Sequence, residues 1–165
     1  MKLRLSLILL LFAAHTTFAQ IIIRGTTGVL SYISGSTSDS QMKLKSGGQL
    51  VIGFRKNLVE ATVITGNTGQ SLLAIDESNE WTVMQACEYD FDKDGRYELL
   101  LAYGDGISQL NVIVFKKVKT EYKEVGNLEG QSICSLSNGR IVLPYGSKNL
   151  FTEYIWQNGK LIQTN

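Results

Sequence analysis

Two-residue turn signals recur along this chain between short apolar runs, and they leave it few folding options other than antiparallel β-structure. Gly47-Gly48, Gly66-Asn67, Asn138-Gly139 and Asn158-Gly159 are such pairs. Gly and Asn tolerate the positive φ of type I′ turns, whose twist matches the strands they join. The flanking runs fall at 28–33, 49–55, 58–65, 71–76, 81–89, 98–103, 110–118, 121–125, 132–136, 140–144, 151–156 and 160–163, and are rich in Val, Ile, Leu, Tyr, Phe and Thr. No segment sustains a 3.6-residue apolar period over a helical length. The spacing predicts an all-β fold of antiparallel hairpins in series, arranged as a sandwich or as partial propeller-like blades. The stretch 34–41, Ser-Gly-Ser-Thr-Ser-Asp-Ser-Gln, reads as a polar loop.

The N-terminus belongs to a different grammar. Lys2 and Arg4 precede an apolar run from Leu5 to Ala14, and Thr17-Phe18-Ala19 ends in a small-x-small pattern. Residues 1–19 therefore read as a secretory signal, leaving 20–165 as a single β domain that is exported, periplasmic or extracellular. Position 20 is Gln, so lipid attachment at a new N-terminal cysteine is excluded. No later run approaches the length of a membrane-spanning helix.

His15, the single histidine, lies inside that signal. Its removal excludes Ser-His-Asp and Cys-His catalysis, histidine acid–base chemistry and imidazole-bound zinc. A formal net charge of +1 gives no general attraction to nucleic acid. The sequence thus predicts a protein that is not an enzyme.

One segment carries chemistry. Residues 90–98 read Asp90-Phe91-Asp92-Lys93-Asp94-Gly95-Arg96-Tyr97-Glu98. Three carboxylates at alternate positions repel one another unless a cation lies among them. Gly95 permits the left-handed backbone that folds such a loop back on itself. Hard oxygen donors match Ca²⁺, with the Arg96 carbonyl as the backbone ligand and Glu98 as a fourth carboxylate. The loop departs from an EF-hand, because its twelfth position is Leu101 and its flanks read as strands.

The run Ala86-Cys87-Glu88-Tyr89-Asp90-Phe91-Asp92-Lys93-Asp94-Gly95-Arg96-Tyr97-Glu98-Leu99-Leu100-Leu101 resembles the calcium loop of FG-GAP/VCBS-type repeats, found in integrin alpha-chain propellers and in many secreted bacterial proteins. The resemblance covers about residues 82–118 and occurs once. It implies a calcium loop between two strands of one blade, with Asp90, Asp92, Asp94 and Glu98 side chains and the Arg96 carbonyl as ligands. Many members carry Asp where this chain has Glu98. A single copy implies one blade-like unit within a compact sheet or sandwich, not a closed propeller.

Other features are weaker. Cys87 and Cys134 are the only cysteines, and in an oxidising compartment they form a candidate disulfide worth roughly 4 kcal/mol; the alternative is two packed thiols. Gly66 to Ser71 lacks the lysine of a phosphate loop and reads as a turn. Asp76, Glu77, Glu80 and Asp105 supply carboxylates without an evident acid–base pair. Tyr154 and Trp156 share a strand face, as core or as a stacking surface for a partner. Lys116, Lys117, Lys119 and Lys123 read as edge-strand charges that oppose aggregation, diluted by Glu121 and Glu124.

The expected function is a secreted, non-catalytic, calcium-binding β domain that acts as a binding module for a protein or glycan. The alternatives are an exported inhibitor or immunity-type protein that masks a partner, and a hydrolase working with carboxylates alone.

Overall fold

The computed structural model describes residues 21–76, 81–146 and 150–164. The signal-like segment 1–19 and the acidic residues Glu77 and Glu80 lie outside the described residues. The fold is all-β with no helix among the described residues, as the turn spacing predicts. The strands are β1 (Ile23–Arg24), β2 (Leu30–Ile33), β3 (Ser40–Lys43), β4 (Gln49–Arg55), β5 (Leu58–Thr65), β6 (Thr68–Asp76), β7 (Val83–Tyr89), β8 (Glu98–Gly104), β9 (Leu110–Val118), β10 (Glu121–Gly130), β11 (Cys134–Ser137), β12 (Arg140–Tyr145), β13 (Leu150–Gln157) and β14 (Lys160–Gln163).

They form three sheets and no closed barrel. The first, in spatial order, is β3-β4-β5-β6; the second β10-β9-β8-β7-β2; the third β1-β11-β12-β13-β14. Each is built on a run of consecutive antiparallel strands. Two strands join out of sequence: β2 pairs antiparallel with β7, and β1 makes a two-residue parallel pair with β11. Asn138-Gly139 and Asn158-Gly159 take positive φ at both positions and close the β11–β12 and β13–β14 hairpins. β4 and β5 fall at the predicted bounds. The polar stretch 34–41 differs: its end joins Met42 and Lys43 as edge strand β3, paired with β4. Backbone pairing there outweighs a composition that carries almost no apolar signal.

The second sheet is the middle layer, and both of its faces are dry. Met84, Ala86, Leu99, Leu101, Ile113 and Phe115 pack with Leu50, Ile52, Val59 and Ala61 of the first sheet. Val83, Cys87, Leu100, Ala102, Val112 and Val114 pack with Leu136, Ile141 and Leu143 of the third. This explains why β7 to β9 are continuous apolar runs and not alternating ones. β10 serves both layers because a bulge between Glu124 and Gly126 shifts its register by one. Tyr122 then points into the first core and Leu128 into the second, the inversion expected of a one-residue slip.

Cys87 and Cys134 sit in the second core as free thiols, both fully buried, which is the packed-thiol alternative of the two that the sequence left open. They pack as small apolar groups across the interface between the middle and third sheets. Gln85, also buried, uses one carbonyl oxygen to accept the Ile22 and Ile23 amides at 2.9 Å each, and so ties the start of the domain to the middle sheet.

Candidate metal centre

The loop between β7 and β8 is organised by its own carboxylates. Asp90 accepts the Asp94 amide at 3.1 Å on one oxygen and the Gly95 amide at 3.0 Å on the other. Lys93 and Gly95 both take positive φ, 59° and 83°, which turns the chain back toward Asp90. Asp94 accepts the Arg96 amide at 2.8 Å and the Arg96 Nε at 2.7 Å. The Arg96 guanidinium beside it holds the Asp94 carboxyl below the usual range. Asp92 accepts the Trp156 indole N–H at 3.3 Å.

These turns bring together three residues that sequence spacing only suggested. Asp90, Asp92 and Asp94 each present a carboxylate oxygen, and the three atoms lie within 4.8 Å of one another. Oxygens on opposite sides of a calcium ion, each about 2.4 Å from it, are separated by roughly the same distance. The acidic cluster can therefore hold a metal ion.

An aromatic shelf fixes the loop against the third sheet. Phe91 stacks on Trp156 at 5.2 Å and 15° and meets Tyr89 edge-on at 4.9 Å. The Tyr89 hydroxyl accepts the Gly139 amide at 3.3 Å. Gly139 itself lies so close to the loop that a Cβ there would stand 2.4 Å from the Phe91 carbonyl oxygen.

Glu98, the first residue of β8, is only 2% exposed. Its Oε2 is fully enclosed and takes no hydrogen bond from any described residue. Burial pushes its carboxyl up to about 7; the Phe91 amide and the Lys116 charge pull the other way, and Asp92 adds to the rise. A buried carboxylate oxygen without a donor is costly in a folded protein and needs an explanation. Glu98, expected as a fourth carboxylate ligand, does not join the group of three that closes to within 4.8 Å; its link to the loop is the charge of Asp92, which adds to the rise of its carboxyl. Arg96 enters the site through its guanidinium, which balances the charge of Asp94.

Sequence reasoning did not find Trp156 as a contact of the loop, since it lies 64 residues from Asp92. Nor did it find Glu88, which accepts the Lys45 and Ser46 amides at 2.6 and 3.2 Å and so holds the β3–β4 turn against the middle sheet. Of the other carboxylates, Asp105 caps its own turn, accepting the Ser108 hydroxyl and the Gln109, Ile107 and Ser108 amides, and these bonds, the hydroxyl first, hold its carboxyl well below the usual range. No protein-family model, curated protein or solved structure matches the chain.

Proposed function

We propose that the 90–98 loop is a structural Ca²⁺ site in an exported, non-catalytic β domain that works as a binding module. The observation that carries this reading is the cluster of Asp90, Asp92 and Asp94, whose carboxylate oxygens lie within 4.8 Å of one another; it is supported by the buried, donor-less oxygen of Glu98 where the loop enters β8. Asp90, Asp92, Asp94 and Glu98, with the Arg96 carbonyl, would hold the ion. A bound cation would supply the positive charge that Arg96 alone cannot give to four carboxylates. Its consequence would be mechanical: the loop joins neighbouring strands of the middle sheet and leans on the third, so holding it shut joins two layers. The strand–loop–strand setting within an antiparallel run, β7 to β10, supports the likeness to an FG-GAP/VCBS-type blade.

Thermal unfolding with millimolar Ca²⁺ and with chelator tests the reading. Ca²⁺ at about 100 times its Kd adds roughly 2.7 kcal/mol, a rise of roughly 5–10 °C for a domain of this size. The double substitution Asp92→Ala, Asp94→Ala removes that rise while leaving the backbone bonds of Asp90 in place. An unchanged midpoint in the parent protein would show the loop to be an ordinary acidic turn.

A further inference from the structure

We propose that the cleft beside the acidic loop, which shares Arg96 and Glu98 with the metal reading, is a second site, one that takes a small ligand through a phosphate or sulfate group. The cleft has a volume of about 310 Å³, within the range of small-ligand sites. Five cationic residues border it: Lys45, Arg96, Lys116, Lys117 and Lys119. Lys116 and Lys117 are neighbours on β9, so their side chains leave opposite faces of the middle sheet, Lys117 on the side of Tyr122 and Lys45, Lys116 on the side of Trp156. The five come from the β3–β4 turn, the acidic loop, the end of β9 and the β9–β10 turn, so only the tertiary structure collects them. Glu98 is the only carboxylate of the lining, and it is buried. Arg96 is paired with Asp94, whereas none of the four lysines has a carboxylate within ion-pair distance among the described residues.

Three of the four lysines, Lys45, Lys116 and Lys117, are held in place, which separates them from an ordinary solvated face. Lys45 Nζ lies 4.0 Å from the centre of the Tyr97 ring, Lys116 Nζ 5.4 Å from that of Trp156, and Lys117 Nζ 5.9 Å from that of Tyr122. Lys117 also donates to the Ser46 carbonyl at 2.6 Å. Seating an ammonium group on an aromatic face fixes a flexible side chain before any ligand arrives. Part of the entropy cost of binding is thereby met in the free protein. The aggregation-blocking reading of these residues does not extend to Lys116 and Lys117, because β10, not β9, is the edge of the middle sheet. Glu121 and Glu124, which dilute the charge in the sequence, lie on β10 and do not line the cleft.

The donor set selects the ligand class. Lysine ammonium groups are compact point charges with freely turning donors, suited to the dense, near-spherical charge of a tetrahedral dianion. A carboxylate carries a single charge and leaves such a cationic lining under-neutralised, whereas a tetrahedral dianion brings two charges and more acceptor oxygens; Arg96 is already engaged by Asp94.

The test is a ¹H–¹⁵N NMR titration with inorganic sulfate and, separately, inorganic phosphate, in chelator and at constant ionic strength set by chloride. Working without Ca²⁺ keeps the result independent of the metal reading. Saturable shifts of the Ser46, Tyr97 and Lys119 amides are expected. The tighter of the two anions identifies the ester class. Lys45→Gln with Lys119→Gln, both exposed positions, should weaken binding about tenfold. Lys56→Gln, in the distant β4–β5 turn, should not. Shifts that chloride reproduces, that rise linearly without saturating, or that persist unchanged in the double variant overturn the proposal.

Discussion

Replacing Glu98 by Gln should stabilise the protein in chelator and impair it in Ca²⁺, a crossed outcome that few substitutions can give. Burial raises the Glu98 carboxyl from 4.5 to about 7. Between those values the folded state keeps a proton that the unfolded state releases, so this residue's contribution to stability is full below pH 4.5 and is lost as pH rises through 7. Between pH 5 and pH 8 the loss at this one residue is about 2.5 kcal/mol, since each tenfold difference in proton affinity between the two states is worth about 1.4 kcal/mol. Glu98→Gln removes that dependence. Its amide still lacks a partner where Oε2 now sits, which returns about 1–2 kcal/mol of cost. At pH 8 the whole rise from 4.5 to about 7 costs about 3.4 kcal/mol, so the net gain is about 1.5–2.5 kcal/mol, several degrees of midpoint. In Ca²⁺ the variant lacks one charged oxygen donor, and its affinity should fall at least about tenfold. The assay is urea or thermal unfolding at pH 5 and pH 8, with chelator and with Ca²⁺, for parent and variant. A variant less stable than the parent at pH 8 in chelator, or one whose stability still falls by the same amount between pH 5 and pH 8, refutes the argument.

Leu100→Ala and Leu101→Ala should each cost about 2–5 kcal/mol in chemical denaturation, because these fully buried neighbours fill different cores; a two-layer sandwich would be hurt badly by only one of them. Gly139→Ala forces a side chain onto a backbone at φ 75° and against the Phe91 carbonyl, so a loss of about 2–4 kcal/mol and weaker Ca²⁺ stabilisation are expected by thermal unfolding. Burial pushes the Cys87 thiol up to about 12 and raises Cys134 as well, so both should ignore a disulfide-based thiol reagent at pH 8 in the folded protein and react as two equivalents once guanidinium unfolds it.

The sequence makes the acidic loop legible because its chemistry is local. Asp90, Asp92 and Asp94 sit on alternate positions with Gly95 behind them, and the hydrogen bonds that close the loop span five residues or fewer. The hairpins are legible for the same reason, since Asn138-Gly139 and Asn158-Gly159 set their own backbone angles. Where the local signal was faint, as in the polar stretch that ends in β3, the strand was missed.

What lies between sheets was not legible. The run Leu99-Leu100-Leu101-Ala102 states that both faces of a strand are dry, but not which sheets cover them. Trp156 on Asp92, Glu88 under the Lys45 turn, and the meeting of Lys45 with Lys117 and Lys119 around one cleft all join segments far apart in the chain. By itself, then, the sequence determined the β class, most hairpins and the composition of the acidic loop, because turn angles and carboxylate spacing act over a few residues. The three-layer stacking, the burial of Glu98 and the gathering of the lysines were decided only by the tertiary structure, because desolvation and charge act through space and depend on what the rest of the chain brings alongside.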